Sequence, residues 1–273
     1  MLFSGESHTI PEPDHYFKLW HLTGDGEILF THSGLLTPVL YRGTEAMLKI
    51  AFSPEEKRGG KLLSWWKGQG AAKVFAYDEN ALVMERLHTS PSLKEMALDG
   101  RDDEATRIIC GVAARLHAHE KTELPELTPL SAWFRDLFRS REKYGAIVTE
   151  CASLASLLVE NQSDMTVLHG DLHHENILYG SSGQWLAIDP KGLWGERTFE
   201  YANILCNPDK KTALGAGRFS RQVDVICETS GVSRIHLLQW TAAWAALSAV
   251  WFINDNMDPD IPLAVAEKAL AEL

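Results

Sequence analysis

Between Gly26 and Val83 the apolar positions come in short runs broken by turn residues, the pattern of strands rather than helices. Residues 27–30, 36–41 and 46–52 read as three strands. They are parted by the turns Thr31-His32-Ser33-Gly34 and Arg42-Gly43-Thr44. A helix is predicted over 53–67, where Ser53 is a good N-cap, Pro54 suits the first helical position and Glu55-Glu56 put negative charge in the first turn. Residues 72–77 and 81–85 are then predicted to form a hairpin.

Beyond Leu87 the period becomes helical. A helix starting at Asp102-Asp103-Glu104 carries the apolar stripe Ile108, Ile109, Val112 and Leu116. Two more helices close the chain, over 233–254 and about 262–273. The fold class expected is α+β, with a small β-rich lobe over residues 1–87 and a larger α-rich lobe over 88–273. No internal repeat is visible. Residues 235–254 hold no Asp, Glu, Lys or Arg, but His236, Gln239, Thr241, Ser248 and many alanines make them only modestly apolar. That predicts a helix buried nearly all round inside a lobe, not a membrane span.

Composition changes this picture little. A chain of 273 residues with 45% hydrophobic and 23% charged residues has material for one large domain or two lobes. The net charge of −11 argues against nucleic acid or an anionic membrane as partner and favours cationic ligands. Cys110, Cys151, Cys206 and Cys227 are scattered, with no zinc-ligand spacing, so structural thiols in a reducing cytoplasm are expected. The N-terminal stretch has no basic region followed by a long apolar run, so no secretory leader is expected. His117 and His119 lie two apart on a predicted helix and face different ways, which speaks against a metal pair.

The chemistry is concentrated in Val167-Leu168-His169-Gly170-Asp171-Leu172-His173-His174-Glu175-Asn176-Ile177-Leu178 and in Trp185-Leu186-Ala187-Ile188-Asp189-Pro190. An Asp, an Asn five residues on and an Asp thirteen beyond that meet the needs of phosphoryl transfer. One carboxylate can take a hydroxyl proton while the other acid and the carboxamide bind Mg²⁺. Protein kinases read H-R-D-L-x-x-x-N and then D-F-G. Here the text is H-G-D-L-H-H-E-N and then I-D-P. Gly195-Glu196-Arg197 follow Asp189 so closely that no peptide-binding activation segment fits between them. A zinc hydrolase built on His169, Asp171, His173 and His174 would leave Asn176, Lys49 and the Asp189 element without a purpose.

These blocks resemble the aminoglycoside phosphotransferase family, and most of all its streptomycin 6-kinase and hydroxyurea-resistance branch. The similarity extends through Lys191-Gly192 and residues 195–203, and more weakly through residues 46–52, 65–71, 82–85 and 247–251. It implies a bilobal fold similar to protein kinases, with ATP and Mg²⁺ used to phosphorylate a hydroxyl on a small molecule. By resemblance Asp171 is the catalytic base, and Asn176 and Asp189 are the metal ligands. Lys49, whose strand neighbours Leu48 and Ile50 must point the other way, steadies the nucleotide phosphates. Glu56, with Glu55 as competitor, would pair with Lys49. The turn holding Ser33 and Gly34 would cover the phosphates. Met84 to Leu87 would be the hinge, with the backbone of Glu85 and Leu87 toward adenine. Glu200 would brace the catalytic loop. A cationic acceptor, streptomycin first, calls for carboxylates, and Glu196, Asp255 and Asp258 (with Asp260 beside it) are the candidates. Hydroxyurea or another small metabolite is the alternative acceptor. A silent kinase-like binding protein would be expected to have lost Asp171, Asn176, Asp189 or Lys49, and all four are present.

Overall fold

Lys49 shows how the N-terminal third of the chain is built. Its neighbours Leu48 and Ile50 are fully buried on one face of their strand, which turns the lysine to the other face. The computed structural model describes residues 12–31 and 33–273; His32 of the predicted phosphate-covering turn and most of the N-terminal stretch lie outside them. Helix α1 (Pro13–Leu19) is followed by the short strands β1 (Thr23–Gly24) and β2 (Leu29–Phe30) and the long strands β3 (Gly34–Tyr41) and β4 (Thr44–Ala51). Helix α2 (Pro54–Trp66) then leads to β5 (Val74–Tyr77) and β6 (Ala81–Glu85). The sheet order is β1-β3-β4-β6-β5, antiparallel throughout, with β2 also on β3. Tyr16 of α1 packs under the sheet with Leu48 and Ile50, in a cluster that the other face does not share.

The remainder is largely helical. In order come α3 (Leu93–Leu98), α4 (Asp102–His117), β7 (Thr128–Pro129), α5 (Leu130–Trp133), α6 (Arg135–Arg139) and α7 (Ala146–Glu160). Then follow β8 (Met165–Leu168), β9 (Ile177–Tyr179), β10 (Trp185–Ala187) and β11 (Leu193–Glu196), a 3₁₀ helix over Arg197–Cys206, α8 (Lys210–Ala213), α9 (Arg218–Ser230), α10 (Arg234–Asn254) and α11 (Asp260–Ala271). Helix α10 buries Trp240 and Leu247 completely and packs on α7, α11 and the 3₁₀ helix, so its apolarity is that of a helix enclosed along its middle, with Ile235 and Asn254 exposed at its ends. Among the described residues no helix is long and apolar enough to cross a membrane. Cys110, Cys151, Cys206 and Cys227 are free thiols.

Helix α2 joins the two parts. Ser53 caps it by accepting the Glu56 N–H at 3.2 Å, and Lys67 ends it in a left-handed conformation. Its residues Leu62, Leu63 and Trp66 lie in the large hydrophobic core that runs from Leu82 and Met84 of β6, on the sheet face opposite Tyr16, to α4 and α10. The segment after it bonds to β10, with Ala72 N–H to the Ala187 carbonyl and Ala187 N–H to the Gly70 carbonyl, both at 2.9 Å. A Cβ at Gly59 would fall 2.3 Å from the Pro190 carbonyl oxygen, so only glycine lets α2 approach the Asp189 loop this closely.

Candidate active site

Strand β8 delivers His169, Gly170 and Asp171 to the cleft. Gly170 has φ +83°, and a Cβ there would sit 2.6 Å from Leu193 Cδ1. Glycine therefore replaces the protein-kinase arginine because β11 packs directly on the turn. His169 is fully buried, which pushes its imidazole below the usual range and keeps it neutral. The hydrogen bonds assign the tautomer: Nε2–H donates to the Ile188 carbonyl at 2.8 Å, and Nδ1 accepts the Asp171 N–H at 3.3 Å. Under the turn, Glu200 from the 3₁₀ helix accepts the His169 N–H at 2.7 Å, the Gly170 N–H at 2.9 Å and His117 Nε2 at 3.2 Å. Burial alone would raise Glu200, but His117 and the loop amides reverse this and hold its carboxyl below the ordinary value.

The β9–β10 hairpin folds thirteen residues of sequence into adjacency. Ile188 N–H bonds to the Asn176 carbonyl at 2.9 Å, which brings Asn176 and Asp189 to one end of the hairpin. Asn176 Nδ2 donates to the Asp171 carbonyl at 2.8 Å and to Asp171 Oδ2 at 3.2 Å. Asp189 adopts φ +62°, a left-handed conformation that Asp tolerates better than most residues. It is bonded to Lys49, which also pairs with Glu56, so three sequence-predicted residues meet across the cleft. The competing acid Glu55 turns away from Lys49 and reaches Lys191 at 3.4 Å. Burial works against the charge on Lys49, yet Asp189 and Glu56 more than compensate and its ammonium stays above the usual range. Asp189 is likewise held low by Lys49 against the effect of burial.

Around Asp171 the structure gathers residues that the motif did not announce. Asn203 Nδ2 donates to Asp171 Oδ1 at 2.9 Å. Trp244 Nε1, which can only donate, points at Asn203 Oδ1 at 3.1 Å, so the amide must face Asp171 with its nitrogen. His173 and Lys191 stand 3.9 and 4.0 Å from the carboxylate. Burial raises Asp171 above the ordinary carboxylate range, although His173 and Lys191 pull the other way. The only sequence signal for Asn203 was its place at the end of Glu200-Tyr201-Ala202-Asn203, within the block that carried the resemblance.

Asp171 opens on a cavity of about 740 Å³ whose walls include Trp133, Trp244 and Trp251 and the acids Glu55, Asp136 and Asp255. Trp251 lies edge-on to Trp133 and Trp244, with ring centres 5.3 and 5.6 Å away, and gives its Nε1–H to Asp136 at 3.2 Å. Of the three acids expected to meet substrate, only Asp255 lines this space. Glu196 is 2% exposed and is taken up by His236 and by the Ser163 N–H at 3.2 Å, so it faces the interior as a structural acid. Asp258 is a surface group beside Asp260, and both pair with Lys210.

Of the residues expected to form a hinge, Met84 is buried in β6 and Glu85 is engaged with Lys73, giving its N–H at 2.9 Å and receiving the Lys73 N–H on its carboxylate at 2.6 Å. The Leu87 N–H and C=O make no hydrogen bond among the described residues. Ser33 and Gly34 sit where β3 begins: the Ser33 carbonyl accepts the Phe52 N–H at 3.0 Å, and a Thr31–Gly34 turn lies beside it.

A strand lysine paired to a helix glutamate, facing an Asp-Asn-Asp constellation in a helical lobe, is the architecture of kinase-like phosphotransferases. The overall likeness agrees. An aminoglycoside phosphotransferase APH(4)-Ia, a thermostable mutant in ternary complex with AMP-PNP and hygromycin B, superposes with TM-score 0.69 at 12% identity over 94% of this chain and 97% of that one. Choline kinase LicA from Streptococcus pneumoniae gives TM-score 0.60 at 13% identity over 94% and 95% of the two chains. In sequence, the profile of the aminoglycoside/hydroxyurea antibiotic resistance kinase family matches residues 19–256. A streptomycin 3''-kinase of Klebsiella pneumoniae is 48% identical over 87% of this chain and 91% of its own length. A streptomycin 6-kinase of Streptomyces griseus is 31% identical over 93% and 86%. The chain belongs to the aminoglycoside/hydroxyurea antibiotic resistance kinase family and is a phosphotransferase acting on a hydroxyl group.

Proposed function

We propose that this protein transfers the γ-phosphoryl group of ATP to streptomycin, with the 3''-hydroxyl as acceptor. The observation that carries the reading is the cavity at Asp171, whose three tryptophans and the acids Glu55, Asp136 and Asp255 suit a polyhydroxylated cation bearing guanidinium groups. The position rests on the 48% identity to the streptomycin 3''-kinase, against 31% to a 6-kinase.

In this reading the acceptor hydroxyl lies against Asp171, whose carboxylate is fixed by Asn176 and Asn203. Its proton passes to Asp171 as the new O–P bond forms. The bond from the γ-phosphorus to the β–γ bridging oxygen breaks, and ADP keeps that electron pair. Lys49, held by Glu56, steadies the phosphates, and the free Leu87 backbone takes the adenine edge. The donor set fits Mg²⁺: Asn176 Oδ1 and Asp189 Oδ2 accept no hydrogen bond among the described residues, and both are hard oxygen donors. Asp171, Asp189, Glu55 and Glu56 against Lys49 and Lys191 also leave a formal −2 for a divalent cation to balance. When bound there, Mg²⁺ would neutralise charge on the nucleotide phosphates. Asp189→Ala is accordingly expected to abolish the metal dependence of nucleotide affinity in calorimetry. Equal affinity and equal metal dependence in the two proteins would remove Asp189 from the metal site.

The function is tested by a coupled ADP-release assay over streptomycin, hydroxyurea and neutral sugars, with ³¹P–¹H correlation on the product. The expected result is turnover of streptomycin with phosphate on the 3''-oxygen. Phosphate on the 6-oxygen, or turnover of hydroxyurea and not streptomycin, would overturn the assignment. If Asp255 and its neighbours attract the guanidinium groups, KM for streptomycin should rise with salt more than KM for MgATP. The screening length falls from about 10 Å at 0.1 M to about 3 Å at 1 M. Asp255→Asn should blunt that difference.

A further inference from the structure

Lys191 is the second residue after Asp189, and its ammonium stands where the two halves of the site face each other. Its N–H donates to the His169 carbonyl at 2.7 Å, which roots the side chain beside the catalytic turn. The ammonium then points into the acceptor cavity, 4.0 Å from Asp171 Oδ2 and 3.4 Å from Glu55 Oε1. Lys49 offers the contrast. It is in close contact with both of its acids, Glu56 and Asp189. Lys191 stands off from both of its acids, near enough for Coulomb attraction, and makes no side-chain hydrogen bond among the described residues. An ammonium with its donors unspent, 19% exposed and beside the base, is a binding group waiting for an anion.

In a phosphoryl transfer the anion that reaches this point is the transferring group itself, because the acceptor oxygen lies on Asp171 and the nucleotide end of the cleft is marked by Asp189. We propose that Lys191 is a catalytic residue whose ammonium donates to the equatorial oxygens of the phosphoryl group as it passes from ATP to the acceptor. The inference rests on Asp171 and Asp189 marking the two ends of the transfer, not on which alcohol accepts the group. Charge in such a transition state is spread over three equatorial oxygens, and a cation already in place there costs no reorganisation. Glu55, on the first turn of α2, keeps the ammonium at this station when no phosphate is bound. Its distance of 3.4 Å leaves the lysine free to turn toward a better anion.

Lys191→Met keeps the stem and removes the charge; Lys191→Arg keeps a charge; Lys191→Gln serves if the methionine variant does not fold. Two measurements are read on each variant and on wild type. One is the rate of ADP release, both with acceptor and, more slowly, to water alone. The other is the affinity for ADP and for ADP with aluminium fluoride, which imitates a phosphoryl group in transfer. Lys191→Met should lose about 100-fold or more in both rates, as a lost electrostatic donor does. Its affinity for ADP alone should stay within about twofold of wild type while the aluminium fluoride complex weakens in step with the rate. Lys191→Arg should recover part of both. A methionine variant within about threefold of wild-type kcat overturns the proposal. So does an equal loss of affinity for ADP and for its aluminium fluoride complex, which would make Lys191 a structural residue. The water rate and the analogue complex report on Lys191 whatever the acceptor proves to be.

Discussion

Asp171→Asn is expected to lower kcat by about 10²–10⁴-fold, the usual contribution of a general base, while nucleotide affinity changes little. The side chain keeps its size, so the cavity at Asp171 and the contacts of Lys49, Glu56 and Asp189 should persist. What changes is donor and acceptor balance. Both carboxylate oxygens of Asp171 now receive an amide N–H, from Asn203 at 2.9 Å and from Asn176 at 3.2 Å. A carboxamide can accept on one side only, so one N–H would face another N–H, and about 1–3 kcal/mol of stability should be lost as well. Turnover in the coupled assay, nucleotide affinity by calorimetry and a thermal melt separate these effects. Wild-type turnover from a folded variant would show that another group takes the proton.

Much of this site could be read from the sequence because it is local. The alternation that turns Lys49 away from Leu48 and Ile50, the Ser53 cap of α2, and the spacing of Asp171, Asn176 and Asp189 are all properties of short segments. The acceptor side was not legible, because it depends on which elements meet. Glu196 reads as a site acid from Gly195-Glu196-Arg197, yet His236, forty residues on, takes it up inside the protein. Glu55 faces the cavity only because α2 rotates Glu56 toward Lys49, and neighbours on a helix point about 100° apart. Asp136 was passed over since nothing local marks α6 as a cavity wall; it is Trp251 of α10 that places it there. Nor does the pattern tell that Leu62, Leu63 and Trp66 of α2 and Leu82 and Met84 of the sheet share one core with the helical part. Hydrophobic pattern shows that a face is buried, not which partner buries it.

Glu200→Ala should have the largest effect on stability. The carboxylate is 2% exposed and holds the His169 and Gly170 amides and His117 at once. Removing it leaves those donors buried without a partner, which costs about 3–5 kcal/mol when a buried charged group is broken from its partners. At about 2–4 °C per kcal/mol for a chain of this size, Tm should fall by roughly ten degrees. Because the folded protein holds Glu200 below its ordinary value of 4.5, its contribution is present above that pH and is lost as pH falls through the folded value. The gap between wild type and Glu200→Ala should therefore narrow in acid. Activity should fall too, through kcat more than KM for nucleotide, because His169 and Gly170 set the position of Asp171 while Lys49 and Glu56 are anchored elsewhere. Glu200→Gln, which retains one acceptor, should lie between the two in both melt and rate. A Glu200→Ala protein that melts with wild type and keeps its kcat would mean that the turn is held by its packing against Leu193 and not by this carboxylate.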